Sequence, residues 1–257
     1  MSSTAISREA KTAWLSPGLR SIAGGSRAAS LYRSVLDAIV EHRLPPGAKL
    51  TEEQLGAVFG VSRTIVRSAL QALAHDHIVT IARNRGAFVA APTVADAQDV
   101  FFGRKLVESA IAREVVRRIE RDDVLNLRVI LDDEEAALRR GDRQTAIRLS
   151  GAFHVAVAAI CGEGVLTAFL RSLISRSSLV IALYGRGAAS ACGHGDHVQF
   201  LLALEARDGD SAARLMSEHL DHILGDLDLA RGGGATVDVV AVLRERLAAG
   251  EAAGAVG

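Results

Sequence analysis

Two short amphipathic segments joined by a turn at Gly60 most constrain what this chain can fold into. In the first, Thr51 and Gln54 have the spacing of a capping box, and apolar residues follow at helical intervals. Gly60 favours the left-handed conformation that ends a helix and allows an abrupt turn. Ser62 is a suitable N-cap, so a second helix is predicted to begin at Arg63. Two helices joined this tightly form a helix-turn-helix.

The second helix has one apolar and one basic face. Arg63, Thr64 and Arg67 fall opposite its apolar residues, giving two arginines one turn apart and no acid. Such a face suits the base edges and phosphates of a DNA major groove. An amphipathic helix precedes this pair, and short strands near 78–81 and 87–90 follow it. The sequence therefore predicts a winged helix-turn-helix over residues 29–92.

Three collinear runs in this region resemble the N-terminal domain of GntR-type transcription regulators: Leu44–Leu50, Val61–Leu70 and Asn84–Val89. The resemblance implies that Arg63, Thr64 and Arg67, with Ser62 beside them, contact operator phosphates and guanines. It also implies that Arg85 and Gly86 form a wing tip at the minor groove. Three positions depart from the family pattern without removing a basic contact, which leaves operator preference open: Ile65, Ser68 and His77.

Charge and length indicate a second, different domain. Residues 1–95 hold eleven Lys/Arg and six Asp/Glu, a net +5, and the remaining residues balance this with −5. A basic module joined to an acidic one suits a DNA reader with a separate control domain. We expect a flexible arm over residues 1–28 and a partly disordered extension over residues 231–257.

Composition also predicts the compartment. The two cysteines, Cys161 and Cys192, are too few for a disulfide framework, and the N-terminus lacks an apolar signal core. No apolar run approaches the ~20 residues that a membrane helix needs. We therefore expect a reduced, soluble, cytoplasmic protein without a membrane partner.

Residues 96–230 have helical patterning throughout, with breaks at Asp, Gly and Ser. They predict an all-α bundle whose apolar faces include Leu106, Ala110 and Ile111. Together with the N-terminal unit, this gives a mainly α protein. Six helices are expected, near 96–118, 122–140, 143–161, 164–185, 194–207 and 211–229.

Two histidines of this bundle are placed to meet. If the turn between the last two helices lies near Gly209, His197 is about twelve residues before it and His219 about ten after it. At ~1.5 Å per residue they stand ~18 and ~15 Å from the turn. In an antiparallel pair they would reach nearly the same level, and their side chains would converge.

The same region resembles the helical effector domain (FCD) of the FadR-like branch of that family. The resemblance rests on Arg104–Glu108, Phe153-His154, Asp196-His197 and Glu218–Leu220. It implies that His154, His197 and His219 bind a divalent metal, Zn²⁺ or Ni²⁺, and that Arg104 lines a pocket for a small carboxylate. Ser150 stands where the family has an aspartate, so the site lacks its anionic member, for which Asp196 and His194 are candidate substitutes. The alternative is that the histidines are simply buried and hydrogen-bonded.

The leading hypothesis is a ligand-responsive DNA-binding regulator. It would bind a near-palindromic double-stranded operator as a homodimer and be released or rearranged by a small carboxylate metabolite in the helical domain. Ser150 supports a second hypothesis, a constitutive repressor with a degenerate effector site. A third, a metal-dependent enzyme fused to a DNA-binding head, lacks a convincing general base, nucleophile arrangement or phosphate-cradling loop.

Overall fold

The computed structural model describes residues 26–185, 193–230 and 238–254, and these are mainly α with one small sheet. They divide into two compact units. One contains residues 93–177 and 184–230, and the other contains residues 26–92, 178–183 and 238–254. The predicted fold class, a winged helix-turn-helix followed by an all-helical bundle, is confirmed. Residues 1–25 of the expected N-terminal arm, and Cys192, lie outside the described residues, whereas residues 26–28 of that arm begin the first helix.

The smaller unit has the element order of a winged helix: α1 (Arg27–Val40), β1 (Lys49–Leu50), α2 (Glu52–Phe59), α3 (Arg63–His75), β2 (Val79–Ala82) and β3 (Gly86–Val89). The sheet order is β1-β3-β2, with both pairs antiparallel, and Ala82 lies opposite Gly86 across the wing hairpin. Apolar side chains of α1 pack on α3. Buried Tyr32 donates a hydrogen bond to the carboxylate of Asp76. These contacts hold α3 against the rest of the unit.

The turn between α2 and α3 forms largely as predicted. Gly60 has φ 61° and ψ 39°, the left-handed conformation, and α3 begins at Arg63. The Thr51 hydroxyl accepts a hydrogen bond from the Gln54 backbone N–H at 3.2 Å. The Gln54 side-chain oxygen accepts from this same hydroxyl and not from the Thr51 backbone N–H. Half of the predicted capping box is therefore made. Ser62 occupies the N-cap position without a side-chain capping bond, so its exposed hydroxyl is available to another partner.

Among the described residues, six helices correspond to the predicted bundle, with ends within four residues of those predicted, although residues 178–183 of the fourth helix group with the smaller unit. They are α4 (Val94–Arg118), α5 (Arg121–Arg139), α6 (Arg143–Ile160), α7 (Val165–Tyr184), α8 (His194–Glu205) and α9 (Gly209–Gly225). Thr93 and Asp96 form a complete capping box at the start of α4. Asp142 and Asp208 cap α6 and α9. The last helix, α10 (Val239–Gly254), groups with the smaller unit.

The inward face of α4 differs from the prediction. Leu106 is 59% exposed and Ala110 is also exposed, whereas Ile111 is buried as expected. Arg104 and Glu108 are buried instead. The reason is that α4 packs on α6 and α9 along a face whose polar groups meet polar partners. The prediction that Leu106 and Ala110 face the core was therefore wrong. The positions that do face it include two charged residues, Arg104 and Glu108.

The helix α7 also departs from expectation. Among the described residues it alone has the length and apolar composition of a membrane span, contrary to the prediction that no such run exists. However, 61% of its most apolar window is buried inside the protein, as is usual for the core helix of a bundle. Its Arg171 is buried and pairs with Glu163.

Candidate metal centre and nucleic-acid interface

Three buried histidines meet in the core of the helical unit. His154 comes from α6, His197 from α8 and His219 from α9. The Nε2 atom of His197 lies 3.2 Å from Nε2 of His154 and 3.2 Å from Nε2 of His219. Each histidine is between 1% and 3% exposed. The predicted convergence of His197 and His219 is thus confirmed, and His154 joins them.

Each histidine of this triad has a carboxylate at its other ring nitrogen. Glu108 Oε2 lies 2.6 Å from Nδ1 of His154, and Glu134 Oε2 lies 3.4 Å from Nδ1 of His197. Asp196 Oδ2 lies 3.2 Å from Nδ1 of His219. Two outer histidines share these acids, since His194 contacts Glu134 and His222 contacts Asp196.

The carboxylates determine where the ring protons sit. An ionised carboxylate only accepts, so the Nδ1 atoms that contact Glu134 and Asp196 carry the ring protons of His197 and His219. At His154 the charge of Glu108 favours the same tautomer, although this contact lacks hydrogen-bond geometry. Each Nε2 then presents a bare lone pair to the other two. The His197 lone pair lies 3.2 Å from each of the other two, and such lone pairs repel one another in a buried site unless a cation lies between them.

The spacing of these nitrogens fits a metal ion. Zn–N bonds of about 2.0–2.1 Å in a tetrahedral site place neighbouring nitrogens about 3.3 Å apart. Two of the observed separations are 3.2 Å, and the three candidate ligand atoms all lie within 4.8 Å of one another. Neutral imidazoles suit Zn²⁺ and Ni²⁺, and three protein ligands leave coordination positions for a small molecule. The residues therefore fit a divalent metal.

The protonation states of the triad histidines also favour binding of a divalent metal. The pKa of His154 is lowered to about 4, mainly by burial, with Glu108 opposing this shift and the nearby Arg104 charge adding to it. Burial and the neighbouring histidines hold the pKa of His219 well below its usual value. Both rings are consequently neutral near pH 7, the form that binds metal.

Arg104 extends the site toward an anion. Its Nε donates to Glu108 Oε1 at 2.7 Å, and its Nη1 donates to Ser177 Oγ at 3.1 Å. Burial alone would raise the pKa of Glu108, but Arg104 and His154 lower it to about 2, so this carboxylate stays ionised. Buried Nη2 of Arg104 makes no hydrogen bond to any described residue. One guanidinium donor is thus available to a ligand next to the triad.

Other predicted residues lie outside this cluster or have a different role. Ser150 is one turn before His154 on α6 and half-buried, and its hydroxyl brings no negative charge. Asp196 and His194, the candidate substitutes, are in the outer layer, where they contact His219 and Glu134.

Sequence reasoning missed Glu134 altogether. It lies in a run of four acids, Asp132–Glu135, of which any could be the inward one. A signal was nevertheless present, because Glu134 continues the apolar stripe of α5 at helical spacing after Leu127 and Leu131. A charged residue in register with such a stripe is a candidate for a buried functional group.

The candidate DNA interface is the N-terminal half of α3 with the wing. Ser62, Arg63, Thr64 and Arg67 are all exposed there. Arg67 donates to Glu52 on α2 at 2.6 Å, an ion pair that raises the pKa of Arg67. This pair holds the Arg67 head group against α2 in the DNA-free protein.

The wing presents further positive charge. Arg83 and Arg85 are exposed in the turn between β2 and β3, and the Arg85 guanidinium lies 5.8 Å from the centre of the Phe88 ring. Asn84 and Gly86 have φ values of 60° and 96°, which produce the tight turn. The arrangement of α3 and the wing is that of a winged-helix DNA reader.

Comparison with known proteins finds two family models along the chain. Residues 27–89 match the model described as bacterial regulatory proteins, gntR family, and residues 99–222 match the model described as FCD domain. The first spans the winged helix through β3. The second spans the helices that carry the histidine triad.

Individual relatives agree with these models. The HTH-type transcriptional repressor RspR of Escherichia coli K12 is 26% identical over 194 residues, which cover 75% of this chain and 85% of RspR. The Uxu operon regulator of Haemophilus influenzae is 29% identical over 195 residues, which cover 69% and 73% of the two chains. A crystal structure of a GntR transcriptional regulator from Rhodococcus sp. RHA1 superposes with a TM-score of 0.70 at 26% identity and covers 78% of this chain and 96% of that one.

Proposed function

Since the chain belongs to the GntR family of DNA-binding transcription regulators, in the FadR-like branch with an FCD domain, we propose that it is a ligand-responsive regulator. It binds a near-palindromic operator as a homodimer, and a small carboxylate in the helical unit releases or rearranges it. The family is one of regulators and not of enzymes, so the triad serves binding rather than catalysis. The cytoplasm, where the DNA is, is its proposed location.

The observation that carries the DNA-binding role is the exposed basic face of α3. Arg63 and Arg67 reach the major groove, with Ser62 and Thr64 at the phosphates beside them, and Arg85 with Gly86 reaches the minor groove from the wing. The Arg67–Glu52 pair must open for Arg67 to contact DNA. An exposed ion pair of this kind stabilises a protein only slightly, so a phosphate or guanine can replace Glu52 at little cost.

The test uses a double variant, Arg63→Ala with Arg67→Ala, and a duplex that the wild-type protein selects from a random-sequence library. We expect an affinity loss of at least tenfold and a salt dependence that is shallower by about one or two units of log slope. Arg139→Ala is the control, because Arg139 is an exposed arginine of the helical unit paired with Glu135. If the double variant binds the duplex with unchanged affinity and sequence preference, this assignment is wrong.

Ligand response rests on the His triad together with Arg104. The three Nε2 atoms would hold a divalent metal, which when bound would supply Lewis-acid binding of a carboxylate oxygen. Arg104 donates from Nη2 to the same carboxylate, a charge-assisted bond of the kind that fixes orientation. To act as a switch, the effector must bind the DNA-competent and DNA-incompetent arrangements with affinities that differ by ~1–3 kcal/mol.

Elemental analysis and thermal-shift measurements test this role. Protein purified without added metal is analysed for Zn and Ni, then screened against a panel of small carboxylates with and without chelator. We expect a carboxylate-dependent rise in Tm that chelator removes and that Arg104→Ala weakens. Retention of the full shift in a His154→Ala, His197→Ala variant would show that the carboxylate binds elsewhere.

The homodimer is proposed from the reach of one winged helix and from the family. Half-sites one helical turn apart, about 34–36 Å, require two reading heads. The exposed apolar side chains Val165, Leu166 and Phe169 at the start of α7 support a self-association surface on the helical unit. Sedimentation of the wild type beside Phe169→Asp tests both points, and a monomeric wild type would refute the dimer.

A constitutive repressor is the second candidate, and Ser150 is the observation that favours it. With a serine in place of the expected aspartate, the ligand set contains no directly bound anion. Absence of both bound metal and any carboxylate-induced shift would establish this reading over the ligand-responsive one.

A further inference from the structure

The charge balance around the triad singles out Glu134. Glu108 is neutralised by Arg104 at 2.7 Å, and Asp196 is 39% exposed, where water screens its charge. Glu134 is only 1% exposed and has no Lys or Arg partner among the described residues. Its contacts are the Nδ1 atoms of His194 and His197, and its Oε1 makes no hydrogen bond to a described residue.

We propose that Glu134 supplies, from behind His197, the negative charge that Ser150 does not bring to the metal site. This inference rests on the proposed metal binding. Glu134 is a positioning residue, since its Oε2 lies on the Nδ1 side of the ring and away from the face where the three Nε2 atoms meet.

Two physical effects give Glu134 this role. As an ionised acceptor it keeps the His197 proton on Nδ1 and leaves Nε2 bare for the ion. As a buried carboxylate with no Lys or Arg partner among the described residues, it is costly in the metal-free protein, because a buried charge must be paired. A divalent ion one imidazole away provides that pairing, so metal uptake relieves the cost.

The central experiment measures Zn²⁺ and Ni²⁺ affinity by chelator competition in Glu134→Gln. Glutamine has the same shape without the charge, and we expect a loss of 10–100-fold, the usual effect of removing an outer partner of a metal-bound histidine. Glu135→Gln is the matched control, since Glu135 is the next residue of α5, exposed and paired with Arg139. We expect its affinity to equal that of the wild type.

Ser150→Asp tests whether the charge is what matters. This substitution should restore affinity in the Glu134→Gln background by at least tenfold and change it much less in the wild-type background. Equal effects in both backgrounds would show that the two positions act independently and would overturn the proposal.

A second measurement needs no variant and no metal. In chelator-treated wild-type protein, the ring nitrogen shifts in NMR report the tautomer of His197, and Nδ1–H is expected. An Nε2–H tautomer would overturn the proposal even if Glu134→Gln failed to fold. If the wild type binds neither metal, the proposed metal site fails along with this inference. If it binds and Glu134→Gln binds equally well, only this inference fails.

An independent observation concerns α10, which lies outside both family-matched regions. It packs on α1 and α2, and its Val239 and Leu243 are buried. Arg43, just after α1, pairs with Glu245 of α10 at 2.6 Å. We infer that α10 is an integral part of the DNA-binding unit and braces α2, the helix that carries Glu52.

Hydrogen exchange of the full-length protein tests this brace. In Leu243→Ser, amides of α1 and α2 should exchange at least tenfold faster than in wild type, and affinity for the selected duplex should fall. Arg244→Ser is the control, because Arg244 is the exposed neighbour on the same helix. Unchanged exchange in α1 and α2 of Leu243→Ser would overturn the inference.

Discussion

Gly193 offers a sharp test of the metal site. It occupies the N-cap position of α8 with φ −80°, which alanine adopts without backbone strain. A Cβ added there would lie 2.1 Å from Cε1 and 2.3 Å from Nδ1 of His219. Because ordinary contact begins near 3.4 Å, the ring must withdraw by roughly 1.3 Å. Metal–ligand distances tolerate only about 0.2 Å, so Gly193→Ala should remove His219 from the ligand set.

We expect this variant to lose at least 100-fold in Zn²⁺ affinity, about 2.7 kcal/mol. Overpacking should also cost the metal-free protein ~1–3 kcal/mol, a fall in Tm of several degrees. The assay is chelator competition followed by thermal unfolding, and Gly195→Ala is the control because nothing lies within 4 Å of its added Cβ. If Gly193→Ala bound Zn²⁺ as tightly as Gly195→Ala, His219 would not be a ligand in the described geometry.

Three further outcomes are expected. Glu52→Gln, which frees Arg67 and removes an acid beside it, should strengthen binding to non-specific duplex several-fold at low salt in anisotropy titrations; weaker binding would mean that Glu52 orients Arg67 for DNA. Leu73→Ala, at a fully buried position of α3, should destabilise the smaller unit by ~2–5 kcal/mol in urea unfolding and leave metal stoichiometry unchanged. Acidification of metal-free protein should lower its stability between pH ~6.5 and 4. His154, which faces Glu108, Arg104 and His197, has its pKa lowered to about 4 in the folded protein. The unfolded chain therefore binds more protons than the folded one in that pH range. Glu108, with its pKa lowered to about 2, continues to stabilise the fold until lower pH. Urea midpoints at pH 7 and pH 5 measure this loss, and His154→Gln should reduce it.

The DNA-binding half was readable from sequence because its signals are local. Caps, a glycine with positive φ and apolar spacing determine α2 and α3 before any distant contact forms. The strand β1 was missed, because two residues become a strand only through pairing with β3. Its existence depends on tertiary structure rather than on a local pattern.

The metal centre was predictable in part. The meeting of His197 and His219 follows from the rise per residue of two antiparallel helices. The inward rotation of α4 and α5 does not, because each helix has apolar residues on more than one face. Leu106 was therefore placed inside wrongly, and Glu134 was not separated from its three acidic neighbours. Only packing against other helices decides those rotations.

The burial of the triad has a kinetic consequence. Its histidines and their carboxylates come from α4, α5, α6, α8 and α9, and each ring is at most 3% exposed. An ion held there cannot leave by diffusion through solvent, and helices must first part through a local opening. The residence time of the bound ion then depends on the rate of local opening of the bundle and not on bond strength alone. Isotope exchange of a bound ion would measure the rate of that opening. A ligand that holds the helices together would lengthen the residence time of the ion.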